Sequence, residues 1–245
     1  MLAHHPRGVV AVGQPAHAWL CGQLARAWGN ERFGAVPSPA EVVLAAEQHD
    51  VGMASWDSAP SLDRGTGLPT SFMNMELETH LRLWSEGPRQ VLAQNRYAAL
   101  LTSMHGRRLY ARRAGEDDRV DAFLRERAAF EARVRRTLAA SDAEVERASR
   151  LVWAWDTMSL AVILDWSPTT VEAVPAAGGE GETLTLSVGE PQGVVAVQPW
   201  PFALDVVPLS LDGRLLEGRF DDVAVLHAAL DEAEWVELRW ELRPG

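Results

Sequence analysis

The chain of 245 residues suits one large domain, or one domain with a small appendage, and its 47% apolar content is enough for a full core. A net charge of −11 argues against nucleic acid as a partner, and no stretch approaches the roughly 18 unbroken apolar residues of a membrane span. All 23 basic residues are arginines, which excludes a Schiff-base or phosphate-loop lysine, and the single cysteine, Cys21, excludes an internal disulfide or a Cys-rich zinc site.

Near the start, Gly-Val-Val-Ala-Val at 8–12 recurs at 193–197, so residues 8–12 could add an edge strand to a C-terminal sheet. The first residues lack the charged and apolar regions of a signal peptide, and a cytoplasmic protein is expected. Gln14-Pro15 opens a helix with Leu20, Leu24 and Trp28 on one stripe, closed by Gly29-Asn30. Ser38-Pro39 with Glu41 starts a second helix, running to about Gln48. Residues 52–73 are dense in turn-formers and read as a long loop, placed to act as a lid over His49-Asp50.

Periodicity predicts further helices at 75–86, 88–105, 118–139 and 142–165, the last with a capping box from Ser141 and Glu144. Residues 173–182 are rich in Pro, Ala and Gly and read as a linker. Beyond it, 183–188, 193–197, 202–207 and 235–242 alternate as strands do, with a short helix near 222–231. The expected fold is therefore mainly α: a helical bundle over 1–172, the linker, and a small β-rich appendage over 183–245.

Four histidines and two aspartates carry the chemistry. His17 shares the stripe of Leu20, Leu24 and Trp28. His80 lies with Leu77, Leu83 and Trp84, His105 with Ala98 and Leu101, and Asp156 with Val152, Leu160 and Ile163. His49-Asp50 falls where the second helix runs out. Burying carboxylates without a cation costs several kcal/mol, and no arginine falls on these stripes. One or two metal ions would neutralise the carboxylates and use the imidazoles together, and such donors accept iron, manganese, cobalt or zinc.

His17, His49-Asp50 and Asp156, in this order on successive helices, resemble the HD-domain superfamily of metal-dependent phosphohydrolases. His80 and His105 between them resemble its six-ligand form, found in dinuclear phosphodiesterases and in diiron oxygenases such as myo-inositol oxygenase. Several segments are more closely similar to a bacterial HD-like family known only as a domain of unknown function. They include Gln14-Pro15-Ala16-His17, Trp28-Gly29-Asn30, Glu47-Gln48-His49-Asp50-Val51-Gly52, Ser103-Met104-His105-Gly106 and Trp155-Asp156-Thr157-Met158-Ser159-Leu160. That likeness runs over nearly the whole chain, with Met53 where a tryptophan is expected.

The resemblance implies an HD-like bundle holding two divalent ions (iron, manganese, cobalt, zinc or magnesium) on His17, His49, Asp50, His80, His105 and Asp156. Asp50 would bridge the metals, and Asp50 with His105 would be the catalytic residues. The expected reaction is hydrolysis of a small phosphorylated or nucleotide substrate. A diiron oxygenase cleaving a C–C or C–P bond, and a non-catalytic metal-binding or sensor protein, are the alternatives. Trp56, Asp57, Asp63, Arg64 and Ser71 of the loop are candidate substrate contacts, and Arg107 or Arg108 a candidate anion clamp. His4, His5, His227 and Cys21 read as structural or peripheral.

Overall fold

The computed structural model describes residues 1–189 and 193–245. In chain order the elements are β1 (Leu2–His5), β2 (Gly8–Ala11), α1 (Gln14–Ala27), α2 (Pro39–Gln48), α3 (Ala54–Ser58), β3 (Leu62–Asp63), β4 (Leu68–Pro69) and α4 (Leu77–Leu92). There follow α5 (Arg96–Tyr110), α6 (Asp118–Arg135), α7 (Asp142–Ile163), β5 (Thr169–Pro175), β6 (Gly181–Val188), β7 (Val194–Gln198), β8 (Val207–Leu216), α8 (Val223–Glu232) and β9 (Trp235–Pro244).

Seven strands form one curled sheet in the order β1-β2-β8-β9-β7-β6-β5, antiparallel throughout except for the parallel pair β7–β9. This corrects the expectation of a mainly helical bundle with a small β appendage: the molecule is half helix, and its sheet draws strands from both ends of the chain. Residues 9–11 pair with 214–216, so this segment does join the C-terminal sheet, but β1 and not β2 takes the edge. Residues 173–182 are the end of β5, a turn and the start of β6, so they make a hairpin.

Helix α1 packs on β8 and α7 on β5, which places these two helices directly on the sheet. Helices α2 and α5 form the next layer, with α4 and α6 against α5 on its outer side. Apolar stripes explain the order. Leu20, Leu24 and Cys21 of α1 and Leu151, Trp155 and Met158 of α7 are all fully buried. Trp28 meets Phe33, Trp155 and Phe202 edge-to-face at 5.6–5.7 Å between centroids, and each such contact contributes roughly 0.5–1.5 kcal/mol beyond area burial. Asn30 fastens this corner, donating to the Trp200 carbonyl (2.8 Å) and accepting from the Phe33 N–H (3.0 Å).

Two local readings change. Gly87-Pro88 suggests a helix break, yet α4 runs through both. Gly87 lies against Gly52, where a Cβ would stand 2.4 Å from the Leu83 carbonyl oxygen, so tertiary packing holds the turn that proline weakens. The break comes later, where Asn95 caps α5 by accepting from the N–H groups of Tyr97 and Ala98. The loop over 52–73 is also structured: it contains α3, the β3–β4 hairpin and short 3-10 turns at Val51–Met53 and Phe72–Asn74.

Candidate metal centre

Four elements meet at one point inside the helical layers. Helix α1 brings His17, the end of α2 brings His49 and Asp50, α5 brings His105, and α7 brings Asp156. All five are buried. Gly52, two residues past Asp50, permits the close approach to α4 that turns the chain sharply at this point. Gly106 does the same next to His105, since a Cβ there would lie 2.7 Å from Cε3 of Trp84.

The donor atoms converge. His17 Nε2 lies 3.0 Å from Asp156 Oδ1 and 3.4 Å from Asp50 Oδ2. His49 Nε2 lies 3.4 Å from Asp156 Oδ1 and 3.5 Å from Asp50 Oδ2. Donors held about 2.1 Å from a common ion in a tetrahedron stand about 3.4 Å apart, so this spacing is that of a ligand set. His105 Nε2 is 3.7 Å from the other oxygen of Asp156, Oδ2, on the flank of the set.

The remaining ring nitrogens are held from behind. Ser159 gives its hydroxyl hydrogen to the Asp156 carbonyl (2.8 Å), so its oxygen accepts from His17 Nδ1–H (2.7 Å). His49 Nδ1–H donates to the Ala46 carbonyl (2.8 Å). Both contacts point Nε2 at the carboxylates, where without metal His17 Nε2–H donates to Asp156 Oδ1 (3.0 Å) and where, once deprotonated, it would present its lone pair to a metal. His49 Nε2 has no hydrogen-bond partner among the described residues, although it is buried. A buried acceptor of this kind costs about 1–3 kcal/mol unless something occupies its lone pair. The groups therefore fit a cation, and two buried sets with converging donor atoms, His17, Cys21 and His49, and His49, His105 and Asp156, could hold a metal ion.

Electrostatics agree with the geometry. Burial pulls the His17 pKa down, but the hydrogen bonds and charges of Asp156 and Asp50 outweigh it and raise it to about 9. His49 is likewise raised, against burial, by Asp50 and Asp156. Burial opposes ionisation of both carboxylates, yet the imidazoles hold Asp50 and Asp156 below the usual carboxylate range. His105 differs, since burial lowers it to about 4 and keeps its ring neutral.

His80 does not join the others. Its Nε2 accepts from the Trp84 indole N–H (2.8 Å), which leaves Nδ1–H to donate to the Tyr110 oxygen (2.5 Å). Trp84 in turn lies against the His105 ring at 5.5 Å between centroids, so His80 orients the tryptophan that covers His105. A helical stripe reports that His80 faces inward, and a partner four residues on, Trp84, was the available sign that its ring was already engaged.

The proposed substrate contacts are dispersed. Asp57 accepts from the backbone N–H of Gln14 (2.5 Å) at the start of α1, and burial raises its carboxyl to about 6. Trp56 is half-buried in α3, packed among Met53, Leu81 and Trp84. Asp63 accepts from Gly65 N–H (2.8 Å) within the β3–β4 turn, and Arg107 donates to Glu131 of α6 (2.8 Å). Arg64 is exposed, and Ser71 caps the 3-10 turn that follows it. His227 bonds the Pro60 carbonyl (2.9 Å), far from the centre in its role. Cys21 stands behind His17 and His49, with burial and the nearby Asp156 pushing its thiol well above the ordinary range, and it donates to Ser159 Oγ (3.2 Å).

The fold and the centre together define an α+β protein with a buried histidine–aspartate cluster beneath a curled sheet. No helix of the described residues is long and apolar enough to cross a membrane. The chain belongs to the family described as "Protein of unknown function (DUF3891)", whose model matches residues 1–218. No curated protein and no solved structure matches it. These findings correct the expected HD-domain membership: the family is one of unknown function, and a seven-stranded sheet carrying α1 and α7 shows no HD domain.

Proposed function

We propose that this chain is a metal-dependent hydrolase acting on a small phosphorylated or nucleotide substrate. The observation that carries the reading is the convergence of His17 Nε2, His49 Nε2, Asp50 Oδ2 and Asp156 Oδ1 at 3.0–3.5 Å, with no arginine to balance the two carboxylates. His17, His49, Asp50 and Asp156 would hold one divalent ion, and imidazole donors favour iron, manganese, cobalt or zinc over magnesium. When bound, such an ion supplies a water activated near neutral pH and a Lewis acid for a phosphoryl oxygen.

The protein's own groups would do the rest. Asp50 and Asp156 are 6% and 7% exposed while His17 and His49 are 1% exposed, so the carboxylates are the less covered ligands of a buried centre. His105, kept neutral by burial and 3.7 Å from Asp156 Oδ2, would offer its ring nitrogen as a further ligand or a hydrogen-bond acceptor there. Trp84 and Trp153, at 5.5 and 5.3 Å from the His105 ring, exclude water around it. A second ion would have only His105 and spare carboxylate oxygens, because His80 is engaged elsewhere, and this disfavours the diiron alternative.

Metal analysis of untagged protein purified anaerobically, followed by assay with p-nitrophenyl phosphate and its diester, tests the reading. One equivalent of metal and hydrolysis, both lost in Asp50→Ala, are expected. A folded protein without metal, or a metal-loaded protein inert to phosphoesters but consuming oxygen, would refute it.

A further inference from the structure

Helices α5 and α7 run past the centre side by side, and their facing stripes continue beyond it. On α5 the stripe is His105 and Arg108, continued by Arg112 in the 3-10 turn Ala111–Arg113; on α7 it is Asp156, Trp153 and Arg150. The Trp153 ring lies 5.3 Å from His105, and the Arg108 guanidinium carbon, one helical turn on from His105, stands 4.8 Å from the same ring. Arg108 is thus one aromatic ring away from the metal-ligand cluster.

Of the neighbouring arginines, Arg112 is exposed and unpaired among the described residues, and the others are engaged. Arg107 pairs with Glu131, Arg113 with Glu116, and Arg147 and Arg150 donate to the carbonyls of Phe33 and Ala173. Arg108 is half-buried and makes no hydrogen bond or ion pair among the described residues. Glu146 acts on it only through its field, and Arg150 and Arg112 repel it. A planar guanidinium, partly desolvated on an indole face with its five N–H donors uncommitted, is prepared to receive a phosphate or carboxylate in bidentate fashion. In a chain of net charge −11 this cation is not there for general attraction of anions.

We infer that Arg108, seated on Trp153, binds a second anionic group of the substrate, so that the preferred substrate carries a phosphate or carboxylate beyond the one processed at the histidine–aspartate centre. The inference rests on the hydrolase reading above and names the substrate class of that site. Arg108 acts there as a specificity residue that touches substrate, and Trp153 holds its guanidinium in place.

The test compares pyrophosphate with orthophosphate as probes of metal-loaded protein, by calorimetry, in wild type, Arg108→Ala and Arg108→Lys. Metal content and melting temperature are measured on the same samples. Pyrophosphate offers Arg108 a second phosphate group that orthophosphate lacks. Arg108→Ala is expected to weaken pyrophosphate about tenfold or more and orthophosphate less than about twofold, with partial recovery in Arg108→Lys. Equal affinity for pyrophosphate in wild type and Arg108→Ala, with metal retained in both, would overturn this inference alone. Wild-type protein that retains no metal would bring down the hydrolase reading, and this one with it.

Discussion

Replacing Ser159 by alanine removes the oxygen that accepts from His17 Nδ1–H at 2.7 Å, and leaves every expected metal ligand in place. Partners of metal-ligating histidines are worth about 10–100-fold in metal affinity, or about 1.4–2.8 kcal/mol. Cys21 Sγ, already 3.2 Å from the lost oxygen, remains as a weak substitute acceptor, which places Ser159→Ala near the lower end, about tenfold. The double change Ser159→Ala with Cys21→Ala removes that substitute and moves towards 100-fold. Competition with a chromophoric chelator measures the dissociation constant directly, and unfolding of the metal-free proteins gives the separate cost of the lost hydrogen bonds, roughly 1 kcal/mol. Unchanged metal affinity in both variants would mean that His17 Nε2 is not a ligand, and the centre would have to be redrawn.

With its pKa raised to about 9 by Asp156 and Asp50, against burial, His17 carries a proton in the metal-free protein at pH 7.5. Metal binding there should release about one proton, falling as pH passes 9; calorimetry in buffers of different ionisation enthalpy counts it. Because this pKa is raised from the ordinary 6.5, its stabilisation of the metal-free fold is present below pH 6.5 and lost as pH rises to about 9, which urea unfolding across that window would report. His80→Ala should keep metal binding while costing roughly 1–3 kcal/mol, because Trp84 and Tyr110 lose their partner. Metal loss matching that of Asp50→Ala would return His80 to the ligand set. Gly106→Ala places a methyl group 2.7 Å from Trp84 Cε3 and should destabilise by roughly 1–3 kcal/mol, seen as a lower urea midpoint.

Helical stripes made much of the centre legible. Apolar neighbours at three- and four-residue spacing placed His17, His105 and Asp156 inward, and the structure brings them together with His49 and Asp50. The same rule misplaced His80, because a stripe reports burial and not the partner found there. Ser159 left no mark of its own: a serine three residues after Asp156 acquires its role only when α1 packs across α7. The sheet was under-read for a similar reason. The local pattern predicts no strand over 208–216, yet these residues form most of β8, with Gly213 in its middle, where a Cβ would stand 2.3 Å from Val10 Cγ1. The glycine answers to a crossing strand some two hundred residues away, which local pattern cannot reveal. Phe202, read as the start of a strand, instead makes a single bridge to Trp28.

The position of β9 bears on how the chain comes to be folded during synthesis. It is made after the other six strands of the sheet and lies between β8 and β7. Until it arrives, β1-β2-β8 and β7-β6-β5 are two half-sheets, each with an open edge, although both lie beneath helices already made. The platform under α1 and α7, and with it the register of His17 against Asp156, is therefore completed only after the other six strands and all eight described helices have been translated. A nascent chain stalled before Trp235 would hold all five clustered histidine and aspartate residues yet lack the joined surface that fixes them, which makes those species candidates for chaperone capture.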